Sequence, residues 1–267
     1  MKCTSLNRFF AAIMAGLLGL PLVGSAQASP QTIYWAGVAF VGNASDIAER
    51  NPYLAEWVDE TGLLELNQRA WSELQKVERN DLEFSTDLGR SESGNAIAMA
   101  LALDFEQING YHITQLNSFC VPNAQIYAQI LTFDMTESKL LSSFPIKSKR
   151  IRDCEENTQS LSKQKALAWV DELMVGEGDS LMSVFPRAVS RLPLNRGWMF
   201  NIKVGEVALG DFTKRALEEN NIPEDAYKRW LAAQVTSNMS EKLEIPVLPY
   251  SLGQAIGGAM PLRFSEA

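Results

Sequence analysis

The chain has 267 residues, 46% of them hydrophobic and 21% charged, with 24 Lys+Arg against 32 Asp+Glu and a net charge of −8. This composition excludes a disordered or collagen-like chain. It also excludes a nucleic-acid binder that works through a net basic surface, because a phosphate backbone rewards positive charge. A single His in the whole chain excludes a His-rich metal site.

Residues 1–28 read as a secretory signal. Lys2 and Arg8 form a basic start, residues 9–23 are an apolar run, and Ala26-Gln27-Ala28 is a small-x-small cleavage site. The run is shorter than the ~20 residues a spanning helix needs, which disfavours the alternative of an uncleaved anchor. Cys3 does not stand at the cleavage position, so a lipoprotein anchor is not indicated. Removing 28 of the 267 residues leaves a mature chain of 239, and the loss of Lys2 and Arg8 takes the charge from −8 to −10. The acidic surface would repel anionic lipid headgroups.

Residues 32–41 are β-branched, aromatic and almost wholly apolar, as in a strand buried on both faces. Leu63, Leu66, Ala70 and Leu74 recur at helical spacing and predict a helix over 61–77, with Thr61 as N-cap. Residues 96–108 are rich in helix formers, yet Ile97, Met99, Leu101, Leu103 and Phe105 alternate at period two and predict a strand. Residues 125–134 and 139–146 are two more β runs joined by a hairpin loop at 135–138. Pairs whose numbers sum to 274 would set Ala128 opposite Ile146 and Ile130 opposite Phe144, apolar pairs on one face. Pro145 has no N–H for a ladder, so this strand is expected at an edge or bulged.

Helices are expected over 160–174, capped by Ser160, and over 181–192, bent or split by Pro186. Residues 198–209 alternate and predict a strand. Helices follow over 211–220 and 224–243, and a short strand over 260–264. A strand followed by helices thus repeats the opening order, although the residue identities do not. Pro193 to Gly197 holds the clustered breakers that mark a boundary. The division is a signal at 1–28, an α/β domain at 29–193 containing the hairpin 125–146, and a second α/β part at 194–267. An end directly after a presumed strand reads as a chain that continues.

The candidate chemistries are few. His112 is the only imidazole base, but no nucleophile elbow accompanies it, and a loop histidine is the commoner reading. Asp104 and Glu106 lie two apart on a predicted strand and would share a face, a spacing that permits paired-carboxylate hydrolysis of a sugar polymer. A solvated strand end is commoner. Asp171, Glu172, Glu177 and Asp179 surround a Gly-rich turn without an EF-hand pattern, so neither metal nor cofactor is expected. Ser160-x-x-Lys163 lacks the companion motifs of a Ser/Lys nucleophile. Pro249, Tyr250, Gly253, Gly257 and Gly258 form the stretch with the most recognition-like backbone. Once Cys3 has left with the signal, Cys120 and Cys154 remain. The same register makes them direct partners, and the implied compartment is oxidising, so a disulfide is expected.

The hairpin from Ala128 to Leu141, with Asp134 before its turn and Lys139 after it, resembles a recurring envelope element. It is similar to the hairpin in the α/β domain of the curli secretion protein CsgG and in the amino-terminal domain of TolB, over residues 30–175. The second half departs, and no lipobox is present. The resemblance implies an envelope α/β domain used for assembly or protein contact, and it transfers no functional residue.

The sequence therefore predicts an α/β protein with a mixed, partly antiparallel sheet, a central hairpin and flanking helices. The expected function is that of an exported, soluble, non-enzymatic accessory or binding protein, periplasmic or secreted. Its expected partner is another envelope protein, with no nucleic acid and no integral membrane span after signal removal. The alternatives are a carboxylate hydrolase of an envelope polymer and a small-ligand periplasmic binding protein with its site between the halves.

Overall fold

A computed structural model describes residues 30–42, 44–87, 96–113, 119–136, 139–151, 161–194, 202–220, 222–243, 245–248 and 250; for 44–46, 109–113, 119–123 and 151 it describes the backbone alone. The fold is α/β.

Strand β1 (Gln31–Phe40) runs parallel to β2 (Leu82–Ser85) on one side and to β3 (Ile97–Ile113) on the other. Its apolar run suits this central place, where both faces are covered. The register shifts between Trp35 and Gly37. Gly37 has φ 103, and a Cβ there would stand 2.9 Å from Asn67 Oδ1. Glycine permits both the backbone conformation and the approach, which lets Asn67 accept the Val38 N–H.

Three helices connect β1 to β2: α1 (Ala44–Arg50), α2 (Pro52–Thr61) and α3 (Leu63–Leu74). The sequence predicts only one of them. Thr61 is not the cap of α3; it ends α2, and Gly62 at φ 87 breaks the chain into two helices. Leu66, Ala70 and Leu74 are the buried stripe of α3, as their spacing implies.

Strands β3, β4 (Phe119–Asp134) and β5 (Lys139–Ile151) form an antiparallel meander, giving the sheet order β2-β1-β3-β4-β5. The expected hairpin register is present: Ala128 faces Ile146 and Ile130 faces Phe144. Pro145 does lie on an edge strand. The register shift falls between Thr132 and Phe133, and none occurs at the proline.

Helices α4 (Lys163–Val175) and α5 (Leu181–Val189) return over the face already covered by α2 and α3. Ser162 rather than Ser160 caps α4, accepting the Lys165 N–H at 3.3 Å. Pro186 sits within α5, which is a single helix. The main core lies on this face and joins Ile33, Leu101, Ile130 and Phe144 to Leu54, Val170 and Phe185. These alternate strand positions each bury a full side chain, worth roughly 1.5–3 kcal/mol apiece.

The opposite face carries a small apolar cluster around Ala100, Ala102 and Leu131. Helix α6 (Asp211–Glu219) and helix α7 (Glu224–Leu243) follow a two-residue strand β6 (Ile202–Lys203), which pairs in parallel with β7 (Val247–Leu248). The strand expected over 198–209 shrinks to these two residues among those described, because residues 204–210 find no ladder partner. Helix α7 packs on β5, where Lys147 donates to Asn238 at 3.0 Å, and reaches β4, where Gln234 donates to Gln125 Oε1 at 2.9 Å and to the Tyr127 hydroxyl.

Candidate functional site

Asp104 and Glu106 do not share a face. The β3–β4 register shifts between Leu103 and Phe105, and Asp104 is the extra residue. A bulge of this kind reverses which residues point up, so Glu106 and Ile108 turn to the helical face while Asp104 stays on the other. Both carboxyl groups are buried, at 7% and 5% exposure.

Glu106 accepts the backbone N–H of Tyr53 at 3.0 Å and of Leu54 at 2.5 Å. These are first-turn donors of α2, whose own N-cap Asn51 supplies no side-chain bond. A residue from the sheet thus caps the helix by supplying acceptors to its first-turn donors. Burial pushes the Glu106 carboxyl up to about 7, with the two N–H donors pulling against it. On the other face, Asp104 accepts from Gln129 Nε2 at 3.1 Å, and Gln129 Oε1 accepts from the Ser143 hydroxyl at 3.0 Å. The space beside Asp104, among Arg50, Arg229 and Tyr250, holds about 20 Å³, room for a water and no sugar ring. The arrangement locks strands and a helix together. It presents no acid–base pair to a common substrate.

His112 stands in β3 opposite Cys120 of β4. Cys154 lies outside the described residues, as do Pro249, Gly253, Gly257 and Gly258. Tyr250 is described and lines the small space beside Asp104. The acids of the Gly-rich turn lie among donors: Asp171 accepts from Trp57 Nε1 at 3.1 Å, Glu172 is 3.6 Å from Arg150, and Asp179 is 2.6 Å from Arg187. The Arg187 hydrogen bond holds the Asp179 carboxyl below its usual value.

A groove of about 380 Å³ runs along edge strand β5, between α5 on one side and α7 on the other. Phe144, Ile146, Val184, Ala188 and Leu192 give it an apolar floor. Lys147, Lys149, Arg187 and Arg191 add four cations against two acids, Asp179 and Glu241. Arg187 is engaged by Asp179, and Lys147 lies 3.9 Å from Glu241. Lys149 and Arg191 have no carboxylate partner among the described residues, although Arg191 Nε donates to the Arg187 carbonyl at 3.1 Å. Burial draws the Lys147 ammonium below its ordinary value, Glu241 opposes this, and Lys149 adds to it. In a chain of net charge −8 this local excess of positive charge is distinctive.

The sequence held two partial signals for this groove. Lys147 and Lys149 are two apart on a strand, so they share a face, and Arg187 and Arg191 are one helical turn apart. Their meeting across β5 depends on how α5 folds back over the sheet, which no local pattern encodes.

Among the described residues no helix is long and apolar enough to cross a membrane. No protein-family model and no curated protein matches the chain. Among solved structures it is similar to a PelC dodecamer from Paraburkholderia phytofirmans, with 9% identity over 52% of this chain and 82% of that one, at a TM-score of 0.21. It is also similar to a neuraminyllactose-binding hemagglutinin homolog from Helicobacter pylori, with 11% identity over 62% of this chain and 92% of that one, at a TM-score of 0.28. Likeness at these scores carries no functional inference for this chain.

Proposed function

We propose that this protein is an exported, non-enzymatic accessory protein of the bacterial cell envelope that acts by holding another envelope protein. The observation that carries the reading is the divergence of Asp104 and Glu106. The bulge sends the only carboxylate pair singled out in the sequence to opposite faces, and each group is consumed by the fold. The hydrolase alternative needs two carboxyl groups converging on one bond, about 5–9.5 Å apart across a shared space. What the described surface does offer is a charged, partly apolar groove suited to contact. Export rests on the signal at residues 1–28. The envelope setting agrees with what the resemblance of hairpin 128–141 to the CsgG and TolB domains implies.

The test is a pull-down of the tagged mature protein from an envelope extract, read by mass spectrometry. One envelope protein recovered in near-stoichiometric amount is the expected result. A bait that recovers nothing, together with shortening of an envelope polymer by the purified protein, would replace this reading with the hydrolase.

A further inference from the structure

The β5 groove has two features that a bare electrostatic patch lacks. Its floor is apolar: Phe144, Ile146, Ala188 and Leu192 are buried side chains that still line the cavity. Its uncommitted cations, Lys149 and Arg191, are exposed and rise from different elements, β5 and the turn after α5. Arg187 and Lys147 are each neutralised in part by an acid of the protein itself. The charge left for a ligand therefore sits with Lys149 and Arg191, beside a surface that rewards an aliphatic group.

We propose that this groove binds an acidic polypeptide segment of a partner protein, with its carboxylates on Lys149 and Arg191 and an apolar side chain against Val184, Ala188 and Leu192. This rests on the accessory reading above and names the chemistry of the partner. A polyanionic glycan would meet the same cations, but it has no aliphatic side chain for the floor. The small residues Ser237 and Ser240 of α7 leave width for a chain in extended conformation. The volume lies at the lower end of the range of pockets that bury a compact ligand, so a few residues of the segment are inside and the rest lie along the surface.

The experiment pans the mature protein against a displayed library of random decapeptides. The expected winners carry Asp or Glu on either side of a Leu, Ile or Val. The best of them, made synthetically, binds at least about tenfold more weakly to the Lys149→Glu/Arg191→Glu double variant, and its binding weakens with added salt. Both positions are exposed, so the thermal unfolding of the variant matches wild type. Winners without acidic enrichment, or equal binding to the folded double variant, overturn the proposal. Dextran sulfate binding as tightly as the peptide, with no gain from the aliphatic residue, reassigns the groove to a polyanion and also overturns it. The pull-down separates the two levels. A partner recovered equally by wild type and double variant sinks the groove assignment and leaves the accessory reading standing. A bait that recovers nothing sinks both.

Discussion

Glu106 on strand β3 accepts the backbone N–H of Leu54 on helix α2, 52 residues earlier in the chain, at 2.5 Å. With the Tyr53 N–H at 3.0 Å on its other oxygen, this carboxyl group closes the start of α2 from the sheet below. Glu106→Ala leaves both donors without that acceptor in a buried site. Each such loss costs about 1–3 kcal/mol, so the variant is expected to lose roughly 2–6 kcal/mol. Urea titration of wild type and variant measures it, and a loss under about 1 kcal/mol would contradict the capping role.

The same group carries a pH signature. Its folded value, about 7, lies above the ordinary 4.5, so the folded state holds the proton more tightly than the unfolded chain. The associated stability is present in full below about pH 4.5, is lost as pH rises through 7, and is constant above. Glu106→Gln removes the titration. Relative to that variant, wild type should lose up to about 3 kcal/mol between pH 4.5 and 8. Parallel stability–pH curves for the two proteins would show that Glu106 titrates normally.

Asp104→Asn keeps the Gln129 contact within reach, since an amide oxygen still accepts. It should leave recovery of the envelope partner unchanged. Purified wild type and Asp104→Asn should both fail to shorten peptidoglycan or envelope polysaccharide, by reducing-end assay. Cleavage by wild type that disappears in Asp104→Asn would restore a catalytic role to this carboxylate.

The hairpin ladder is described as far as Asn123 opposite Ile151, and its pairs sum to 274 from Thr132–Ser142 outward, beyond the shift next to the turn. Cys154 lies outside the described residues, among which there is no disulfide; continued three steps further, the same register would set Cys120 opposite Cys154, the pairing that the sequence predicts. We expect no free thiol in the mature protein after denaturation without reductant. Cys154→Ser should then cost roughly 3–4 kcal/mol, on the chain-entropy model. Two reactive thiols per chain would disprove the bridge.

Export makes a separate demand. Protein purified from an envelope fraction should begin at Ser29 by N-terminal sequencing, because the sequence predicts cleavage after Ala28. A mature product beginning at Met1 would contradict it.

Much of the sheet was legible because its signals are local. The alternation of Ile97, Met99, Leu101 and Leu103 overrode their helix propensity, and symmetric apolar pairs fixed the β4–β5 register. Period two predicts that Asp104 and Glu106 share a face, but it holds only while the ladder is regular, and the one-residue bulge at Asp104 reverses it. The short helices α1 and α2 are not predicted from the sequence; Pro52 opens α2, and the acceptor for its first-turn donors, Glu106, lies 52 residues beyond Leu54 in the chain. The strand expected over 198–209 had the right alternation but no neighbour to pair with beyond Ile202–Lys203. The basic groove was invisible as a unit, since Lys149 and Arg191 lie 42 residues apart and meet only through the packing of α5 against β5.

The most direct measurement of the central claim is photo-crosslinking in intact cells, with a benzophenone amino acid at position 149 in the groove or at position 64 on α3, which does not line the groove. Leu64 is 72% exposed, so it controls for non-specific capture. A protein whose place is to hold a partner at the β5 groove gives one discrete adduct from position 149 and none from position 64. Absence of any adduct at 149, or equal labelling at both positions, would contradict it.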